Sequence, residues 1–137
     1  MTTASPIVSV IMPVYNAGRY LNPAIESILR QKFRDFEFII INDGSTDGSG
    51  HVIQQYADAD HRIRIVSQQN QGLTTTLNTL LASSRGQYIA RMDQDDISTP
   101  ERLEQQKRYL DTHPDVGLLG SWVAVIDPED RYITTHR

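Results

Sequence analysis

Short apolar runs alternate along the chain with segments of helical periodicity. Residues 7–14 are branched, apolar and without charge, and end at Tyr15-Asn16-Ala17-Gly18, which reads as a buried strand closed by a turn. Leu21, Ala24, Ile25, Ile28 and Leu29 then share one helical face, with Pro23 tolerated in the first turn. Residues 36–41 form a second buried strand, and the turn at residues 42–47 caps a helix carrying Val52, Ile53, Tyr56 and Ala57. A shorter strand at 63–66 precedes Leu73, Leu77, Leu80 and Leu81, spaced as an amphipathic helix. Residues 87–92 make a fourth strand ending in Asp93-Gln94-Asp95-Asp96. Ser98 or Thr99 is the expected cap of a helix with Leu103 and Leu110, Pro100 standing in its first turn. Residues 116–126 read as a last strand or two, broken by Gly117 and Gly120, before the turn at 127–130.

Four strand–helix alternations with strands apolar on both faces imply an α/β fold, a mostly parallel sheet covered by helices on both sides. In such sheets ligands sit beyond the carboxyl ends of the strands. Three polar turns fall there: Tyr15-Asn16, Asp43-Gly44-Ser45 and Asp93 to Asp96.

The 137 residues suit a single domain, with residues 1–6 as a flexible tail. A net charge of −4 with acids and bases mixed gives no basic stripe for nucleic acid and no polybasic signal for lipid. The absence of cysteine excludes thiol chemistry and thiolate metal sites, and no apolar run is long enough to span a membrane. A cytoplasmic protein is the default expectation.

Asp93 and Asp95 project the same way in an extended turn, where two carboxylates about 4 Å apart repel by roughly 4 kcal/mol at an effective dielectric near 20. A cation or a proton relieves that repulsion, and oxygen donors completed by phosphate suit magnesium or manganese. The plainer reading is a solvated acidic turn. Calcium loops starting at Asp93 or Asp43 fail, the first at Ile97 and Ser98, the second at Gln54. A haloacid-dehalogenase-type phosphotransferase would need Thr or Val at Ile97 and a first-strand position. Asp43 reads either as a turn former or as an acceptor for an N–H of a base. Tyr15 reads as a loop residue or as a platform for a flat ring, and Gly72 as a residue for an unusual backbone angle. Arg91 can pair with Asp93 or with a phosphate. Dinucleotide, Walker A and nucleophile-elbow motifs are absent, and the four histidines have no metal spacing.

Together, residues 8–16, residues 36–47, Asn70-Gln71-Gly72-Leu73 with Asn78, and residues 88–96 followed by residues 100–106 resemble family 2 glycosyltransferases, in order and over nearly the whole chain. The resemblance implies a Rossmann-like GT-A nucleotide-binding fold and transfer of a sugar from a nucleoside diphosphate sugar, UDP-linked most simply, with inversion. It implies base and ribose contacts from Pro13, Tyr15 and Asn16, a base contact from Asp43, and donor contacts from Gly72, Asn78 and Arg91. Asp93 should lie near the ribose or diphosphate, and Asp95, with Asp93, should reach a magnesium or manganese ion. The acceptor is expected to be a saccharide or lipid-linked sugar in surface polysaccharide synthesis, the full-length enzyme working in the cytoplasm or at the inner face of the membrane. The family's catalytic base lies far downstream of the D-x-D, and Glu129-Asp130 comes too soon to supply it. The chain is therefore expected to be a fragment truncated before the acceptor-binding half, inactive in transfer and self-associating as a homodimer. A non-catalytic nucleotide-binding module is the alternative.

Overall fold

The computed structural model describes residues 5–136; of the predicted tail, residues 1–4 lie outside the described residues. The chain forms two compact units, residues 1–105 and 106–137.

The first unit contains four strands, β1 (Val8–Val14), β2 (Phe36–Asp43), β3 (Ile63–Gln68) and β4 (Tyr88–Arg91). They form one fully parallel sheet in the order β3-β2-β1-β4. The order runs outward from β1 to β3 on one side and then reverses to place β4 on the other. That reversal opens a crevice between the carboxyl ends of β1 and β4, where such sheets bind ligands. Helices α1 (Leu21–Leu29), α2 (Ser49–Ala59) and α3 (Leu73–Ser83) make the crossovers.

Parallel register brings even positions of β1 and β2 together, Val8 opposite Phe36 and Val10 opposite Phe38, so each face of this pair collects one parity. Val8, Val10, Met12, Val14, Phe38 and Ile40 pack with Leu21, Ala24, Ile25 and Ile28 of α1 and Ile53 of α2. The opposite face is smaller: Ile11, Ile39 and Ile41 pack under Leu80 and Leu77 of α3. Both faces of β1 and β2 are therefore buried, which is why those segments read as unbroken apolar runs.

Helix α4 (Arg102–Thr112) begins in the first unit. Its first amide, Arg102 N, donates to Thr99 O at 3.1 Å. The fully buried Gln31 also holds this start from the end of α1, its Oε1 accepting from Leu103 N at 3.0 Å and its Nε2 donating to Thr99 O at 2.6 Å. A cap supplied from 72 residues away leaves no local signature.

In the second unit the strand predicted over 116–126 is shorter. Only Val123–Ile126 (β5) is paired, antiparallel to Tyr132–His136 (β6). The turn at 127–130 fell where expected: Asp127 Oδ1 accepts the amides of Glu129 and Arg131, and Asp130 adopts a φ of 62°. Strand β6 alternates few apolar residues and is exposed throughout, so it lacks the pattern that marks a buried strand. Leu118, Trp122, Tyr132 and Ile133 are exposed apolar residues of this unit. Among the described residues no helix is long and apolar enough to cross a membrane.

Candidate functional site

A cleft of about 300 Å³ opens at the strand-order reversal, at the lower end of the size range of small-molecule sites. The end of β1 contributes Pro13, Val14 and Tyr15, the end of β2 contributes Asp43, and the turn after β4 contributes Arg91, Asp93, Gln94 and Asp95. Asn70, Gly72, Leu73 and Thr76 close it from the entry to α3. Of the residues singled out in the sequence, Pro13, Tyr15, Asp43, Gly72, Arg91, Asp93 and Asp95 are brought together.

Asn16 and Asn78 are not among the lining residues. Asn78 is exposed on α3. Asn16, at a φ of 49°, latches two loops: its N–H donates to Ser45 Oγ at 3.0 Å and its Oδ1 accepts Thr46 N at 2.8 Å. Asp47 extends the latch, taking Gly18 N at 2.9 Å and Ser49 N at 3.0 Å. Asn16 thus shapes the cleft wall through its neighbours.

Asp43 is buried and heavily engaged. Its Oδ1 accepts Gln68 Nε2 at 2.7 Å and Gln71 N at 2.9 Å, and its Oδ2 accepts Gly72 N at 3.0 Å. Burial alone would raise its carboxyl, but the bonds from Gln68, Gln71, Gly72 and Thr76 hold it below the ordinary range. An ionised carboxylate offers about four acceptor positions. Two of these bonds fall on Oδ1 and one on Oδ2, and Thr76 adds a fourth donor. Gly44 follows with a φ of +80°, and a Cβ there would stand 2.8 Å from Asn70 N. The missing side chain lets the 70–72 loop close over Asp43.

The acidic turn is held from below. Arg91 pairs with both oxygens of Asp93, at 2.9 and 3.2 Å. Arg102 donates to Arg91 O at 2.8 Å and to Ser98 Oγ at 2.9 Å. Its guanidinium is pushed down by burial and raised again by Asp96 and Asp93. Asp96 is pushed up, first by loss of hydration and then by the charges of Asp93 and Asp95, with Arg102 and Arg91 opposing. Burial is the larger cause, and the two neighbouring carboxylates add to it.

A group raised on folding favours its protonated form, so its ionisation at neutral pH costs stability. Asp96 is exposed, so solvent screens most of this cost: Asp96→Asn is expected to raise the thermal midpoint by no more than about 1 °C at pH 7, the gain shrinking as pH falls and the wild-type carboxyl takes up its proton. Differential scanning fluorimetry across pH checks both parts.

Asp93 and Asp95 provide hard oxygen donors on one wall of the cleft, and among the described residues no three His, Cys, Asp or Glu are placed to hold a metal ion by themselves. Two carboxylates completed by ligand phosphate oxygens fit magnesium or manganese, ions that keep few protein ligands. The sequence reading assigned no site role to Gln94, Asn70, Leu73 or Thr76. Thr76 was findable, one helical turn from Gly72 on the face that meets Asp43. Gln94 was the unread middle letter of D-Q-D.

The description "Glycosyl transferase family 2" matches residues 9–137 of the chain. A Bacillus subtilis relative named as a glycosyltransferase, EpsE, is 41% identical over 126 residues, which are 90% of this chain and 45% of that protein. The crystal structure of S. aureus TarS 1–349 in complex with UDP-GlcNAc is similar with a TM-score of 0.72 and 26% identity, over 78% of this chain and 32% of that one. The mannosyltransferase PcManGT of Pyrobaculum calidifontis, in complex with GDP-Man and Mn2+, is similar with a TM-score of 0.75 and 25% identity, over 93% and 38%. The chain thus spans less than half the length of the proteins it matches.

Proposed function

Because the chain belongs to glycosyl transferase family 2 and has the GT-A fold, we propose that its cleft binds the nucleoside diphosphate of a sugar donor together with magnesium or manganese. The observation that carries this is the meeting, in one cleft at the strand-order reversal, of a buried carboxylate, an exposed aromatic ring and an acidic turn. Those are the three chemistries a nucleoside diphosphate asks for: an acceptor for a base N–H, a face for a flat ring, and a cation site for two phosphates.

Uracil fits this site best. Its ring offers one N–H at the recognition edge, the least that a carboxylate already engaged by several donors is asked to accept. Guanine offers an adjacent pair of donor groups and would leave one without a charged partner. Tyr15, nearly half exposed at 48%, supplies a ring surface in the same cleft. The TarS complex holds UDP-GlcNAc and the PcManGT complex GDP-Man with Mn2+, which support a nucleoside diphosphate sugar and a cation and leave the base to the Asp43 chemistry.

Asp95, with Asp93, would hold the cation, and Arg91 lies where it can exchange Asp93 for a phosphate oxygen. Held there, the ion supplies charge neutralisation on the diphosphate. The whole enzyme's reaction is then a direct displacement with inversion: the acceptor hydroxyl oxygen bonds to the anomeric carbon as the bond to the diphosphate breaks, the diphosphate leaving with that electron pair and the hydroxyl proton passing to a base. No carboxylate of the cleft is assigned as the base for the acceptor.

Calorimetric titration of UDP with and without manganese tests the reading. Manganese is expected to tighten UDP binding by about tenfold or more, and Asp95→Ala to abolish that gain while leaving metal-free affinity unchanged. Binding indifferent to manganese in the wild-type chain would remove the cation from the site. GDP and dTDP, titrated in parallel, test the base: GDP bound more tightly than UDP would overturn the uracil assignment.

A further inference from the structure

Strands β1 and β4 pair from Val8↔Tyr88 to Ile11↔Arg91, and the ladder reaches Met92, whose N–H donates to Ile11 O at 2.9 Å. Beyond that point the two chains part around the cleft. Across the gap the Gln94 side chain takes the place of backbone. Its Oε1 accepts Tyr15 N at 2.8 Å and its Nε2 donates to Tyr15 O at 3.1 Å. This is the donor–acceptor pair that a strand residue offers its neighbour.

The next residue, Asn16, is held from the other side by Ser45 Oγ and Thr46 N. Tyr15 therefore has its backbone fixed from both flanks while its ring stays exposed. Gln94 stands between Asp93 and Asp95 and itself lines the cleft. One amide thus links the aromatic wall to the acidic wall.

We propose that Gln94 is a positioning residue, whose amide keeps the Tyr15 platform and the Asp93–Asp95 turn in one fixed relation so that base and cation meet a preorganised frame. This rests on the nucleotide reading above. The plainer role is a pair of loop-stabilising bonds, and the two roles differ in what they predict. Hydrogen bonds at an accessible loop add little net stability, since water replaces them. Binding, in contrast, must order whatever the ligand touches, so a loosened frame weakens affinity even where the fold is unchanged.

Gln94→Met keeps length and volume and removes both hydrogen bonds. In titrations of UDP and GDP with and without manganese, this variant is expected to bind UDP about tenfold more weakly in both conditions. Asp95→Ala, in the same series, weakens binding with manganese alone. The thermal midpoint of Gln94→Met should stay within about 2 °C of wild type. Exchange of the Tyr15 amide with solvent should be faster, which reads the broken clamp directly.

Wild-type affinity in Gln94→Met overturns the proposal, as does a loss confined to manganese-containing titrations, which would limit Gln94 to the acidic turn. A midpoint lowered by more than about 5 °C gives Gln94 a structural role and also overturns it. Binding of neither nucleotide by the wild-type chain would instead overturn the nucleotide reading, and the clamp with it.

Discussion

Glu37→Gln is expected to destabilise the protein by about 3 kcal/mol at neutral pH, lowering the thermal midpoint by about 10 °C. Glu37 lies near the amino end of β2, buried to 4%, and every acceptor position it offers is used. Oε1 accepts Ser9 Oγ at 2.7 Å and Arg85 N at 2.9 Å. Oε2 accepts Arg64 Nη1 at 2.7 Å and Arg85 Nε and Nη2 at 3.0 and 2.7 Å. Ser9 Oγ in turn accepts Gly86 N at 2.9 Å, so the carboxylate ties β1, β2, β3 and the turn before β4 together. An amide in its place turns an NH2 group toward donors whichever way it is rotated, leaving buried partners unsatisfied.

The same residue sets an acid limb. Burial would raise its carboxyl, but the bonds from Arg85, Ser9 and Arg64 lower it from 4.5 to about 2. A carboxyl depressed on folding contributes stability that is complete above its unfolded value and is lost as pH falls through its folded one. Wild type should therefore lose about 3 kcal/mol between pH 4.5 and 2 from this group, and Glu37→Gln should lose none of it. Urea denaturation at several pH values measures both curves, and parallel curves would show that Glu37 does not carry the acid limb. The clamp lies at the opposite end of the strands from the cleft, so nucleotide affinity of the folded variant should be unchanged.

Glu37 also marks where the sequence stops being readable. The run at 36–41 was legible as a buried strand because both faces of β2 are covered, and the glutamate within it drew no attention. A buried charge needs partners, but these come from residues 64 and 85, and nothing local announces them. The sheet, its parallel sense and the edge that carries the cleft followed from alternation and apolar runs, which are local. Strand order and the buried Gln31 cap depend on contacts between distant segments. The cleft divides the same way. Asp43, Tyr15 and the acidic turn sit at strand ends and were visible. Asn16 stands at the same strand end, its N–H and Oδ1 engaged by the Ser45-Thr46 latch, and Gln94 matters only because β1 and β4 part beside it.

Asp43→Asn is expected to weaken UDP binding at least about a hundredfold, the largest effect on binding among single substitutions in the cleft. Two losses combine. The negative charge that would face the base N–H disappears, and the three donors already on Asp43 cannot all be satisfied by an amide. If the amide oxygen replaces Oδ1, Gly72 N meets an NH2 group; if it replaces Oδ2, Gln68 and Gln71 do. Either arrangement releases part of the 70–72 loop, where Gly72 is held at a φ of +84° and Asn70 forms cleft wall. Stability should fall by about 1–3 kcal/mol, the cost of one orphaned buried donor. Thermal melting and calorimetry on the same preparation separate the two losses, because binding should fail in protein that is still folded at the titration temperature. The pH dependence gives an independent sign. Asp43 is held below the ordinary carboxylate range, so it stays ionised as pH falls from 7 to about 5, and UDP affinity should not weaken over that interval on its account. Wild-type affinity in folded Asp43→Asn would take the base away from Asp43 and leave the carboxylate as a pin for the loop alone.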